Sequence, residues 1–263
     1  ILLIIALVWT IFPVYWMIKS SITVNSEMYV ARPSLIAKHY TFENYVDLFT
    51  KTEFPRALLN SLMIAFLTTV CCLLISILGS YAMTRLKYPG RRFFKTSIIF
   101  SYLIPTAVLF VPMYVFVSKL GFYDNKWALL IIYPTTVVPY CCYMLMSYFK
   151  AIPYALEEAA LIDGCTRMKS LRYIITPIAL PGIAVVATFA FTMSWNEYLY
   201  AMIMTTSPAQ QTAVVAISSF KYADSAIWGR IMAASVLTSL PVTIIYIVAQ
   251  AQLISGKSDG SVK

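Results

Sequence analysis

What most limits the folds open to this chain is a set of six apolar runs, at residues 1–17, 58–83, 97–118, 127–149, 174–204 and 231–254. A hydrocarbon layer of roughly 30 Å is crossed by about 20 helical residues rising about 1.5 Å each, and runs of that length belong in lipid. Composition agrees, since 60% of the 263 residues are hydrophobic and only 12% are charged, against about 25% charged in a soluble domain. The expected fold class is an all-α polytopic membrane protein with six transmembrane helices, forming one domain over residues 1–263. The run at 1–17 is read as a truncated span. A cleaved leader fits it less well, because Pro13 and Trp16 lead into Lys19 without a small-residue cleavage site.

Orientation follows from the loops. Arg85, Lys87, Arg91, Arg92 and Lys95 follow the second run with no acid among them, which marks that loop as cytoplasmic. Alternation then places 150–173 and the tail 255–263 inside, and 20–57, 119–126 and 205–230 outside. The net charge of +9 reads as loops facing anionic lipid and cytoplasm, with no nucleic acid as partner. The five cysteines lack zinc or redox spacing, so packing is their expected role, and His39 as the sole histidine excludes a histidine-rich metal site.

Within the runs, only Glu197 near a predicted end is charged, and Arg230 immediately precedes the last run. A proton or sodium relay usually shows itself as ionisable groups inside spans, so few carriers exist for ion coupling, and energy is expected from outside the chain. Sequence signatures of metalloproteases, serine hydrolases and dinucleotide enzymes are missing. Gly256, Lys257 and Ser258 mimic the end of a phosphate-binding loop, but Ala251 stands where its first glycine belongs.

The most informative segment is 151–173. Pro153 suits a first helical turn, Glu157 and Glu158 favour the positive helix end, and Gly164 offers a left-handed stop. Ala159 and Ala160 leave a shallow surface on which another protein could dock closely. Thr166 is placed to cap a second helix carrying Arg167, Lys169 and Arg172. On physical grounds alone, an ordinary interfacial hairpin fits equally well.

Glu158, Ala159, Ala160, Asp163, Gly164, Ile174 and Pro177 resemble the EAA motif of ABC importer permeases. The segments TFENYVDLF at 41–49, Asn60–Ser61, YPGRR at 88–92, WNEY at 195–198, Trp228–Gly229 and the ending at 255–263 are similar to the carbohydrate, MalG-like branch of that family. Departures are Cys165, Leu171 and Thr176, of which Leu171 would offer a docking partner a smaller apolar knob than an aromatic does.

The resemblance implies a permease without its own ATPase activity. Its partners would be a second homologous permease, two ATP-binding subunits holding ATP and Mg, and an extracytoplasmic solute-binding protein delivering sugar. The location implied is the bacterial cytoplasmic (inner) membrane. Glu157, Glu158, Ala159, Ala160, Asp163, Gly164 and Arg167 would form an ATPase-coupling helix, and Ser255, Gly256 and Lys257 an ATPase-contacting tail.

Outside, Phe42, Tyr45, Val46 and Phe49 recur at helical spacing, with Thr41 as cap. Packing on neighbouring spans is the expected role of that face, with the membrane surface or the binding protein as alternatives. Asn60, Trp195, Asn196, Glu197 and Tyr198 are candidates for the translocation path or a gate, although an interfacial aromatic belt explains Trp195 and Tyr198 as well. The competing functional class is an ion-coupled secondary transporter of a small polar solute, followed by a membrane enzyme or scaffold.

Overall fold

The computed structural model describes residues 2–30, 32–220 and 228–258, with side chains to residue 250. Regular structure among the described residues is helical, apart from one isolated antiparallel bridge between Thr23 and Tyr40. The helices are α1 (Leu2–Ser21), α2 (Asn25–Met28), α3 (Glu43–Thr50), α4 (Phe54–Arg85), α5 (Arg91–Leu103), α6 (Thr106–Lys119) and α7 (Ala128–Ala151). They continue with α8 (Tyr154–Ile162), α9 (Arg167–Ser170), a π-helical turn (Leu171–Ile175), α10 (Thr176–Ile178), α11 (Leu180–Trp195), α12 (Leu199–Met204), α13 (Ala213–Ser219) and α14 (Trp228–Ser258).

Four helices are individually long and apolar enough to cross a membrane, and six crossings result if each of two bent pairs counts as one. The expected spans at 97–118 and 174–204 are each bent, and neither is a continuous helix. Helices α5 and α6 meet at 99°, and α9–α10 meets α11 at 82°. Sterics explain the first bend: Pro105 pushes Ile104 out of helical conformation, to ψ 122°. A second interruption, Asn196–Tyr198, separates α11 from α12 within what reads as one run.

Helices α4 and α7 form the central pair and α11 packs against both. Lipid is as apolar as leucine, so close approach and interhelical hydrogen bonds hold such a bundle. Cys72, Cys141 and Leu145 bury against Val186 and Ala190, and the Ser80 hydroxyl donates to the Cys142 carbonyl at 3.0 Å. A β-carbon on Gly182 would stand 2.4 Å from the Tyr148 ring, so only glycine lets α11 and α7 lie this close.

The outer helix α3 is rotated from its expected pose. Phe42, Val46 and Phe49 are exposed, whereas Asn44 and Leu48 are buried. Polar bonding outweighs apolar burial here: the Asn44 amide donates to the Ser21 and Thr23 carbonyls, each at 3.0 Å, tying α3 to the end of α1. Gly229 at the start of α14 lies against the same amide, where a β-carbon would meet Asn44 Oδ1 at 2.4 Å. Thr41 does not cap through the first residue of the helix proper, which follows Phe42, but its hydroxyl accepts from the Glu43 N–H at 3.1 Å. Arg230, immediately before the last apolar run, pairs with Asp47 at 3.0 Å.

Candidate functional site

Two assemblies of polar side chains stand out, one at each end of the bundle. At the end expected to be cytoplasmic, α8 starts after Pro153 and stops as the sequence suggests. Gly164 adopts φ +85°, its N–H donates to the Leu161 carbonyl and the Cys165 N–H to the Ala160 carbonyl, which closes the helix with a double cap. Thr166 then accepts the Lys169 N–H and starts α9. The following π turn widens the helix just before Pro177, whose missing N–H an α-helical ladder could not use.

Helix α8 is fastened to the end of α4. The Tyr81 hydroxyl donates to Glu157 Oε1 at 2.5 Å, and the Tyr154 hydroxyl to the Thr84 carbonyl at 2.9 Å. Arg85 Nη2 donates to the carbonyls of Phe149 and Ile152 at 2.5 and 2.6 Å, while its guanidinium carbon lies 4.2 Å from the centre of the Tyr154 ring. Its Nε sits 3.9 Å from Glu157 Oε2, and Arg167 is equally far from Oε1. Removing one partner of such a buried ion pair costs about 3–5 kcal/mol, since the other charge is left uncompensated.

The structure thus divides the expected coupling residues. Glu157 turns inward and is 4% exposed, so it anchors the helix and presents nothing to a partner. Ala160 is also buried, whereas Glu158, Ala159, Asp163, Gly164 and Arg167 are exposed, along with Ile162. Leu171 is buried beside Phe149 and Ile175 in the protein's own core, which corrects its expected place on a docking surface. Tyr81, Thr84 and Arg85 were not singled out by sequence, because a basic loop after a span reads as a topology signal. The tail residues Ser255, Gly256 and Lys257 continue α14 in backbone, and their side chains lie outside the described residues, as do residues 259–263.

At the other end, Asn60 is buried and fully engaged. Its amide donates to the Ala209 and Gln211 carbonyls at 3.1 and 3.0 Å, and its oxygen accepts from Lys126 Nζ at 2.7 Å. The Ser61 hydroxyl accepts the Ala213 N–H at 2.8 Å, and Asp124 binds both the hydroxyl and the N–H of Ser207. These bonds hold the Asp124 carboxyl below the usual carboxylate range. Asn60 thus fastens the loops at 119–126 and 205–212 to the start of α4.

A cavity of about 480 Å³ lies between α5, α6, α7 and the α11–α12 junction. Two of the three helix interruptions fall on it, through Ile104 and through Asn196, Glu197 and Tyr198. Broken helices inside a bilayer need protein or water beside them to satisfy their backbone. Glu197 supplies part of this, accepting the N–H groups of Tyr200 and Ala201 at 3.0 and 3.1 Å. Trp195 is corrected out of the cluster: it is 2% exposed, stacks on Phe191 at 5.5 Å and donates to the Thr238 carbonyl at 3.1 Å. Tyr133, Thr135 and Thr136 of α7 also line the cavity. Their sequence signal was polar residues clustered around Pro134 in an otherwise apolar run. Among the described residues no group of three or more His, Cys, Asp or Glu side chains could hold a metal ion.

Comparison with known proteins matches this architecture. The family model "Binding-protein-dependent transport system inner membrane component" covers residues 75–257. The inner membrane ABC transporter permease protein YcjP of Escherichia coli (strain K12) is 36% identical, over 98% of this chain and 92% of that protein. The trehalose/maltose transport system permease protein MalG of Thermococcus litoralis is 33% identical, over 96% of this chain and 91% of its own length. A chain from the crystal structure of a bacterial ABC transporter importing the acidic polysaccharide alginate superposes with a TM-score of 0.84 at 22% identity, covering 95% of this chain and 93% of that one. The protein belongs to the family of inner membrane components of binding-protein-dependent transport systems, the permease subunits of ABC importers. It is a multi-pass membrane protein.

Proposed function

We propose that this chain is one of two permease subunits of an ATP-driven sugar importer in a bacterial cytoplasmic membrane. The second permease is a different, homologous chain. Two ATP-binding subunits hold ATP and Mg and perform all hydrolysis, and an extracytoplasmic binding protein delivers the sugar. Relatives named for trehalose, maltose and diacetylchitobiose support the cargo class.

The observation that carries the reading is the Glu157 clamp. A short helix with exposed Glu158, Ala159 and Asp163 is locked by Tyr81 and Arg85 to the end of α4. A push from a closing ATPase dimer on that helix would therefore reach the bundle as a rigid-body movement, where a loose loop would absorb it. The tail at Ser255, Gly256 and Lys257 would touch the same ATPase.

The test is reconstitution of both permeases and the ATPase in proteoliposomes with the binding protein outside. Uptake that needs internal ATP and persists when the proton gradient is collapsed supports the reading. Uptake that follows the proton or sodium gradient with ATP held constant overturns it in favour of an ion-coupled transporter.

A further inference from the structure

We infer that the cavity between the two broken helices is a saccharide subsite within this subunit, selective for a neutral sugar over an acidic one. The inference rests on the importer reading and extends it to named side chains.

Three observations converge. The first is the Tyr133 hydroxyl, which is buried, with the residue 1% exposed, and has no hydrogen-bond partner. The Glu197 side chain interacts with that hydroxyl, although no hydrogen bond of ordinary geometry joins them. An orphaned hydroxyl in an apolar bundle costs about 1–3 kcal/mol, and a ligand hydroxyl in the cavity would relieve it. The second is the pair of chain breaks: two interrupted helices present their non-helical backbone to one space, the arrangement in which membrane transporters place polar cargo. The third is the wall chemistry. The Tyr102 ring on the wall, tilted by 33° against Tyr140 at 4.9 Å, offers an aromatic surface for sugar C–H groups, while Thr136 and Asn196 add polar groups.

Charge decides the class of sugar. Among the described residues Glu197 is the only carboxylate on the wall, and no lysine or arginine lines it. Its carboxylate accepts two backbone N–H groups and keeps lone pairs free for sugar hydroxyls. A uronate or sulfonate would meet that carboxylate with no compensating cation. The volume of about 480 Å³ is within the usual range for small-molecule sites.

The test uses the complete importer in lipid nanodiscs without its binding protein, and saturation-transfer NMR with maltose, trehalose, diacetylchitobiose and digalacturonate. Wild-type protein is expected to transfer saturation to at least one neutral disaccharide and none to digalacturonate. Tyr133→Phe removes a hydroxyl whose one protein neighbour is the Glu197 side chain, and should raise the half-saturating concentration about three- to tenfold. Thr136→Val provides a second variant with the same expectation, and Glu197→Lys should bring digalacturonate into the site. Co-purification of all subunits checks that each variant assembles.

A wild-type preference for digalacturonate, no transfer to any sugar, or unchanged affinity in both Tyr133→Phe and Thr136→Val overturns the subsite. ATP-driven uptake by wild-type proteoliposomes in those cases would leave the importer reading standing, and its absence would remove that reading too.

Discussion

The Tyr81 hydroxyl and the Glu157 carboxylate, 76 residues apart in sequence, meet at 2.5 Å and join the short α8 helix to the long α4 helix. Arg85 approaches the same carboxylate from a turn further along α4. A single acidic side chain thus ties the short α8 segment to a helix that runs the length of the bundle.

Tyr81→Phe should loosen this joint without unfolding the protein. A hydrogen bond to a charged group is worth about 1.5–3 kcal/mol, so amide exchange across Tyr154–Ile162 is expected to accelerate at least about tenfold. ATP hydrolysis should then continue while uptake falls. Exchange rates matching wild type would show that the helix is held by other contacts.

Gly164 can be tested by geometry alone. At φ +85° a β-carbon there meets no atom within 4 Å, so any cost is backbone strain and not collision. A valine should cost about 1–2 kcal/mol, fray the end of α8 and lower the ratio of sugar moved to ATP hydrolysed. Asparagine, which tolerates this conformation, should stay near wild type. Equal coupling ratios in the two variants would separate the turn from coupling.

Gly182→Ala is a packing test. With the Tyr148 ring 2.4 Å from the new β-carbon, overpacking of about 1–3 kcal/mol is expected, read as a lower thermal midpoint in detergent. Adding Tyr148→Ala should recover part of the loss, and a double variant no better than the single one would place the strain elsewhere.

The loops at 119–126 and 205–212 carry a pH dependence. Ser207 holds the Asp124 carboxyl below the ordinary range, so its stabilisation is complete above the unfolded value of about 3.9 and disappears as pH falls through the lowered folded value. Asp124→Asn keeps a residue that accepts its φ of 47° while removing the charge. Protease resistance of the 205–212 segment should exceed that of the variant at pH 6–7, and the gap should close toward pH 3. A gap that widens on acidification would contradict the assignment.

Sequence alone revealed the apolar runs, the stop at Gly164 and the cap at Thr166, because each depends on local spacing and backbone preference. It missed what long-range contacts decide. Phe42, Val46 and Phe49 form a persuasive apolar face, yet α3 turns on Asn44, whose partners lie more than 20 residues upstream. Trp195, Asn196, Glu197 and Tyr198 are adjacent in sequence, but the helix ends at Trp195, sending that ring toward α14 and the rest toward the cavity. Tyr133 escaped notice because a tyrosine in an apolar span looks like packing until its hydroxyl is found without a partner.

The wide turn at Leu171–Ile175 has a consequence for how this protein can change its length. Each residue advances an α-helix by about 100°, so deleting one position there would rephase Leu180–Trp195 against the rest. Gly182 would swing away from Tyr148 and Glu197 from the cavity wall it shares with Tyr133 in one stroke. Insertions and deletions should therefore be tolerated in the outer loops long before they are tolerated at this joint.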